Sequence, residues 1–167
     1  MRLYKNIYLV GSGQIGLSFE KDCHVYLIHL NGDLILIDAG FGIETEKIIQ
    51  NIRADGFDEN NLKYLFISHV HADHAGGCRE LKKATKCIIV APEYEAELLE
   101  KGSESEIGLD MMKRANIFPK EYVFKHCKVD VVMKHNETID VGGFKIRLIQ
   151  VPGHSIGSSC YYLDLGD

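Results

Sequence analysis

Apolar residues along the chain follow two rhythms, one with a period of two and one with a period near 3.6, and these predict alternating strands and helices. Residues 3–10 cluster apolar side chains as a strand would, and residues 24–30 (HVYLIHL) form a second candidate strand. Asn31-Gly32 follows, a strong hairpin signal because a type I′ turn needs positive φ at both central residues. Residues 34–37 (LILI) complete the hairpin, and their unbroken apolar run predicts burial on both faces. After a loop at residues 38–42, the stretch 44–54 places Ile48, Ile49 and Ile52 on one helical face. Residues 64–67 predict a short buried strand, 75–83 a helix, 87–91 a strand and 93–99 a helix. Residues 102–120 are polar, helix-prone near 109–114, and predict an insertion or lid. Strands are predicted at 129–133, 137–141, 144–151 and 159–163, with Gly142-Gly143 as a tight turn. The order implies an α/β or α+β fold, a mixed sheet flanked by helices, in one domain spanning 1–167.

Composition narrows the partners more than the fold. The 167 residues are 46% hydrophobic and 26% charged, an ordinary globular balance. The net charge of −5 and pI near 5.9 disfavour nucleic acid as a partner. No apolar run approaches the roughly 18 residues that span a bilayer, so no membrane partner is expected. The first residues lack the pattern of a secretory signal. The five cysteines are scattered and form no CxxC, which predicts reduced thiols in a cytoplasmic protein.

The chemistry concentrates in Ser68-His69-Val70-His71-Ala72-Asp73-His74-Ala75-Gly76-Gly77. Imidazole and carboxylate in this density suit zinc, iron or manganese, whereas calcium takes an all-oxygen shell. On an extended segment, residues i and i+2 point the same way, so His69 and His71 can approach one ion together. Asp73 and His74, on the turn into a helix, can serve a second position. The cluster follows a buried strand, where α/β proteins build their sites. A second turn, Pro152-Gly153-His154-Ser155, also follows an apolar strand. His154 would be the third histidine of a tetrahedral site that keeps one position open for water.

SHVHADHAGG resembles the HxHxDH signature of the metallo-β-lactamase superfamily, PGHSIGS its second histidine motif, and LILIDAGFG its first motif. The resemblance runs from Cys23 onward and implies the αββα sandwich of that family. Under it, His69, His71 and His154 match the first metal position, Asp73 and His74 match ligands of a second, and Asp38 lies beneath the metal loop. It implies one or two zinc ions, with iron or manganese accepted by the same ligands, and a small-molecule substrate, with an ester or thioester as the best match. Metal-activated water would be the nucleophile, and Asp73 could orient it. Two other functions share the motif: an iron-dependent persulfide dioxygenase, and a non-catalytic metal-binding domain.

The family continues with a bridging aspartate at the end of a further strand. Gly166-Asp167 has the composition of a turn and matches that motif poorly. The expectation is therefore the N-terminal part of a sandwich, from a natural chain longer than this one. An exposed half-sandwich would favour self-association. The remaining histidines, His24, His29, His126 and His135, read as structural or surface groups. Gly11-Ser12-Gly13-Gln14-Ile15-Gly16 reads GxGxxG without a following helix, which favours a loop beside the metal cleft over a dinucleotide site.

Overall fold

The computed structural model describes residues 1–166. In chain order the strands are β1 (Arg2–Tyr4), β2 (Ile7–Gly11), β3 (Val25–Leu30), β4 (Asp33–Ile37), β5 (Leu62–Phe66), β6 (Ile88–Pro92), β7 (Val131–Met133), β8 (Thr138–Val141), β9 (Phe144–Gln150) and β10 (Ser159–Leu163). The helices are α1 (Thr45–Ala54), α2 (Ala72–Ala75), α3 (Cys78–Thr85), α4 (Glu93–Lys101) and α5 (Leu109–Arg114). Strands β1 to β7 form one sheet in sequence order, and β10-β9-β8 form a second. The first sheet is mixed: β1 to β4 pair antiparallel, β4 to β7 parallel.

The alternation of side chains explains the layering. Along β4, Leu34 and Leu36 enter a core with α1 and α3, while Ile35 enters a second core against the three-stranded sheet. β6 repeats this, with Ile89 and Ala91 on one side and Val90 on the other. Both faces of these strands are therefore covered, which is why they read as unbroken apolar runs. The second core closes with Met133, Val141, Ile146 and Leu148. The result is three layers, helices on sheet on sheet.

Two predicted elements divide. Residues 3–10 form two antiparallel strands, because the polar pair Lys5-Asn6 turns the chain, with Lys5 at φ 29°. The helix expected at 75–83 is replaced by α2 and α3, broken at Gly76-Gly77. A Cβ at Gly77 would collide with the Ala39 carbonyl oxygen, and one at Gly76 with that of Phe41. The glycines let the loop after β4 lie directly on the α2–α3 junction, where Gly77 N–H donates to Gly40 O at 3.0 Å. The Asn31-Gly32 and Gly142-Gly143 turns have the expected positive φ. Among the described residues, no helix is long and apolar enough to cross a membrane. Asp167 lies outside the described residues.

Candidate metal centre

The candidate residues gather where β4, β5 and β9 end. β5 runs out at Phe66, and Ile67 N–H still donates to Val90 O. From Ser68 the backbone leaves β5 and is held by side chains as well as by backbone partners, Ser68 O accepting from Ser159 N–H at 3.0 Å. Asp38, just past β4, sits at φ 63°, a conformation costly for a residue with a Cβ. Its buried carboxylate offsets that cost by accepting from Ser68 N–H (2.8 Å), Ser68 O–H (2.8 Å) and His74 Nδ1 (2.8 Å). The expected place of Asp38 beneath the histidine loop thus has a physical content: it ties the start of the loop to its end. Ala39 N–H donates to His74 O at 2.7 Å and completes the tie.

His69, His71 and His154 come together from two loops. Their ring centroids lie 4.5 to 4.7 Å apart. Each offers a ring nitrogen within 4.8 Å of the others. His71 Nδ1 lies 2.9 Å from His154 Nε2, and His69 Nδ1 is 3.0 Å from Ser68 Oγ. That leaves His69 Nε2, which is buried and has no hydrogen-bond partner. An orphaned buried nitrogen facing two other imidazoles is costly unless something accepts its lone pair. A divalent cation fits that requirement, and a donor set of three imidazoles suits zinc or another transition metal. His69 and His71 are also biased toward the neutral form that a ligand must have. Burial, then the neighbouring His74, His71 and His154, push His69 down to about 3. Burial and His154 lower His71 as well.

Asp73 and His74 occupy α2, one turn further on. His74 Nε2 is 3.5 Å from Asp73 Oδ2. Burial alone would lower the His74 pKa, but the hydrogen bond from Nδ1 to Asp38 and the charges of Asp38 and Asp73 outweigh it, so the net shift is upward. Both residues border a cleft of about 480 Å³ that also exposes Gln14, Asp22, Cys23 and Asp38. Past Gly11, the end of β2, residues 12–16 form a loop whose Gln14 borders this cleft. Cys23 lies within 4.8 Å of Asp38 and His74, and burial followed by the charges of Asp38 and Asp73 pushes its thiol well above the usual range.

One residue of the site escaped the sequence reading. Glu95 of α4 is 1% exposed, and it joins the two histidine loops. One carboxylate oxygen accepts from Val70 N–H (2.7 Å), between His69 and His71. The other accepts from Gly157 N–H (2.9 Å) and Ser155 O–H (2.7 Å), just past His154. Tyr161 of β10 adds a second clasp, its hydroxyl donating to Ile67 O at 2.8 Å.

Comparison with known proteins follows the same lines. The profile of the Metallo-beta-lactamase superfamily matches residues 19–167. A hydroxyacylglutathione hydrolase of Methylobacillus flagellatus is 26% identical over 150 residues, covering 89% of this chain and 46% of that protein. One from Rhodopseudomonas palustris is 28% identical over 146 residues, covering 86% and 44%. The fold superposes on BJP-1, a subclass B3 metallo-beta-lactamase of Bradyrhizobium japonicum, with a TM-score of 0.81 and 29% identity, covering 100% of this chain and 57% of that one. The chain thus spans about half the length of the relatives it matches. With the matching profile covering most of its length, the chain belongs to the metallo-beta-lactamase superfamily.

Proposed function

We propose that this chain carries the metal centre of a zinc-dependent hydrolase acting on a small ester or thioester. The observation that carries the reading is the convergence of His69, His71 and His154 around the buried, unpartnered Nε2 of His69. These three residues would hold the ion, and Asp73 with His74 would contribute to a second position. A divalent ion there would make hydroxide available near neutral pH by lowering the pKa of a coordinated water.

The chain's own residues do the positioning. Glu95 holds the two histidine loops in register. Asp38 fixes the ring of His74 through Nδ1, which turns Nε2 toward Asp73. Asp73 borders the cleft and also the recess lined by His71 and His154, where its carboxylate can accept a proton from the attacking water. Hydrolysis adds hydroxyl to the acyl carbon, breaks the bond to sulfur or oxygen, and delivers a proton to the leaving group. The hydroxyacylglutathione hydrolase relatives, named for a thioester, support that choice of substrate.

The test is an acyl-thioester hydrolysis assay on the purified chain, with metal content measured on the same sample. The expected result is zinc-dependent thiol release, abolished by a chelator. Iron in the site with oxygen uptake on a persulfide would overturn the hydrolase reading, and a chain that binds no metal would overturn it altogether.

A further inference from the structure

A recess of about 250 Å³ opens directly on His71, Asp73 and His154, and its other walls are Ile107, Leu109, Met111, Met112 and Phe118. The composition of these walls differs from that of the cleft on the far side of Asp73, where Glu20, Lys21, Asp22 and Asp38 present charge. Apart from the three residues at its mouth, the recess offers no ionisable side chain. The cations of α5 are occupied elsewhere: Lys113 pairs with Glu104 at 2.6 Å and Arg114 with Asp110 at 3.0 Å.

The walls are built, not left over. α5 has six residues, too few to persist without tertiary support. Ile107 and Leu109 anchor it in the core under the large sheet. Phe118 and Tyr122 pack on Phe41, with ring centroids 4.9 and 4.0 Å away, and Tyr122 O–H donates to Phe41 O at 2.8 Å. Phe41 belongs to the loop that starts at Asp38. The recess and the histidine loop therefore share one support, which keeps their separation constant. Met111 remains 60% exposed at the rim, and its unbranched side chain can adjust to an occupant.

We propose that this recess binds the acyl chain of the substrate, and that the chain is aliphatic and uncharged. The inference rests on the metal reading above for the position of the reacting carbonyl, at the mouth beside His71 and His154. With about 30 Å³ for each water-sized group, the volume takes on the order of eight carbons. An acyl chain that carried charge would leave that charge without a partner there. The polar cleft beyond Asp73 is then the side toward which the leaving group points.

Methionine-methyl NMR on the full chain tests this directly, with straight-chain carboxylates from acetate to decanoate as probes, in zinc-loaded and metal-free samples. Met111 and Met112 line the recess, while Met133 lies in the core between the sheets and serves as the internal control. Octanoate should shift the Met111 and Met112 signals saturably and leave Met133 in place. Affinity should rise about fourfold per methylene, then level off near eight carbons. Met112→Gln, with Met111 still reporting, should weaken octanoate about tenfold and leave acetate unchanged. Affinity that ignores chain length, or shifts at Met133 alone, would overturn the proposal. Zinc content and thioester hydrolysis on the same samples separate the two readings. Bound zinc with a flat chain-length series overturns the recess and leaves the hydrolase. A graded series in a chain that takes up no zinc on loading supports the recess and overturns the metal site.

Discussion

Replacing Glu95 probes how the two histidine loops are held together. Its carboxylate is buried, and its three partners are neutral donors: Val70 N–H, Gly157 N–H and Ser155 O–H. Hydrogen bonds to a charged acceptor contribute about 1.5–3 kcal/mol each, and a buried donor left without a partner costs about 1–3 kcal/mol. Glu95→Gln keeps one acceptor oxygen but turns an NH₂ group toward a donor. The loss should be about 2–3 kcal/mol, or roughly 4–12 °C in melting temperature for a chain of this size. Glu95→Ala orphans Val70 N–H and Gly157 N–H together. Ser155 is spared, since its hydroxyl also lies 2.6 Å from Ser158 Oγ. That variant should lose about 3–5 kcal/mol. Because Val70 separates His69 from His71 and the other two donors follow His154, the loosened loops should also bind metal about 10–100-fold more weakly. Thermal melts followed by circular dichroism, with and without zinc, give the stability. A competitive chelator titration gives the affinity. A Glu95→Gln protein that melts within a degree or two of the parent and binds zinc equally well would refute the reasoning.

Other outcomes follow from the same contacts. Gly77→Ala should destabilise by at least about 1–3 kcal/mol, because the new Cβ meets the Ala39 backbone rather than a movable side chain; an unchanged melting temperature would count against the contact. Thiol labelling should separate the cysteines. Cys160 is exposed and should react first. Cys78 and Cys87 are buried, and burial raises both thiols, Cys87 to about 11. At pH 8 they remain protonated as well as covered, so their alkylation should wait for unfolding; labelling of all five at one rate in the native protein would contradict the packing. Tyr161→Phe removes the donor to Ile67 O and should cost about 1 kcal/mol in a urea melt, with no loss expected if that hydrogen bond is absent.

Local chemistry made much of the fold readable. Asn31-Gly32 announces its hairpin because few residues tolerate positive φ twice. The LILI run announces a strand covered on both faces. The histidine cluster is dense enough to stand out, and its i, i+2 spacing puts His69 and His71 on one side of the segment, where the structure groups them with His154. What escaped depends on contacts between distant residues. Glu95 sits in EYEAELLEK, where a glutamate reads as part of a solvated face, and its partners lie 25, 60 and 62 positions away. The break at Gly76-Gly77 comes from the loop packed over it, which helix periodicity does not register. The segment 102–120 read as polar because serine and glutamate dominate its first half. Its apolar residues matter through where Phe41 holds them. The three C-terminal strands were read correctly as strands. Their separation into a second sheet follows from tertiary packing of Ile146 and Leu148 against the first.

The account depends most on three histidines sharing one ion. Zinc content after exhaustive dialysis, measured by mass spectrometry for the parent chain and for His71→Ala, His154→Ala and His135→Ala, tests that claim. His135 accepts from Gln150 N–H at 3.1 Å, outside the histidine group, and its variant is the control. The parent and His135→Ala should retain about one zinc per chain or more, and the other two should lose it almost completely. Equal zinc in all four proteins would contradict the assignment.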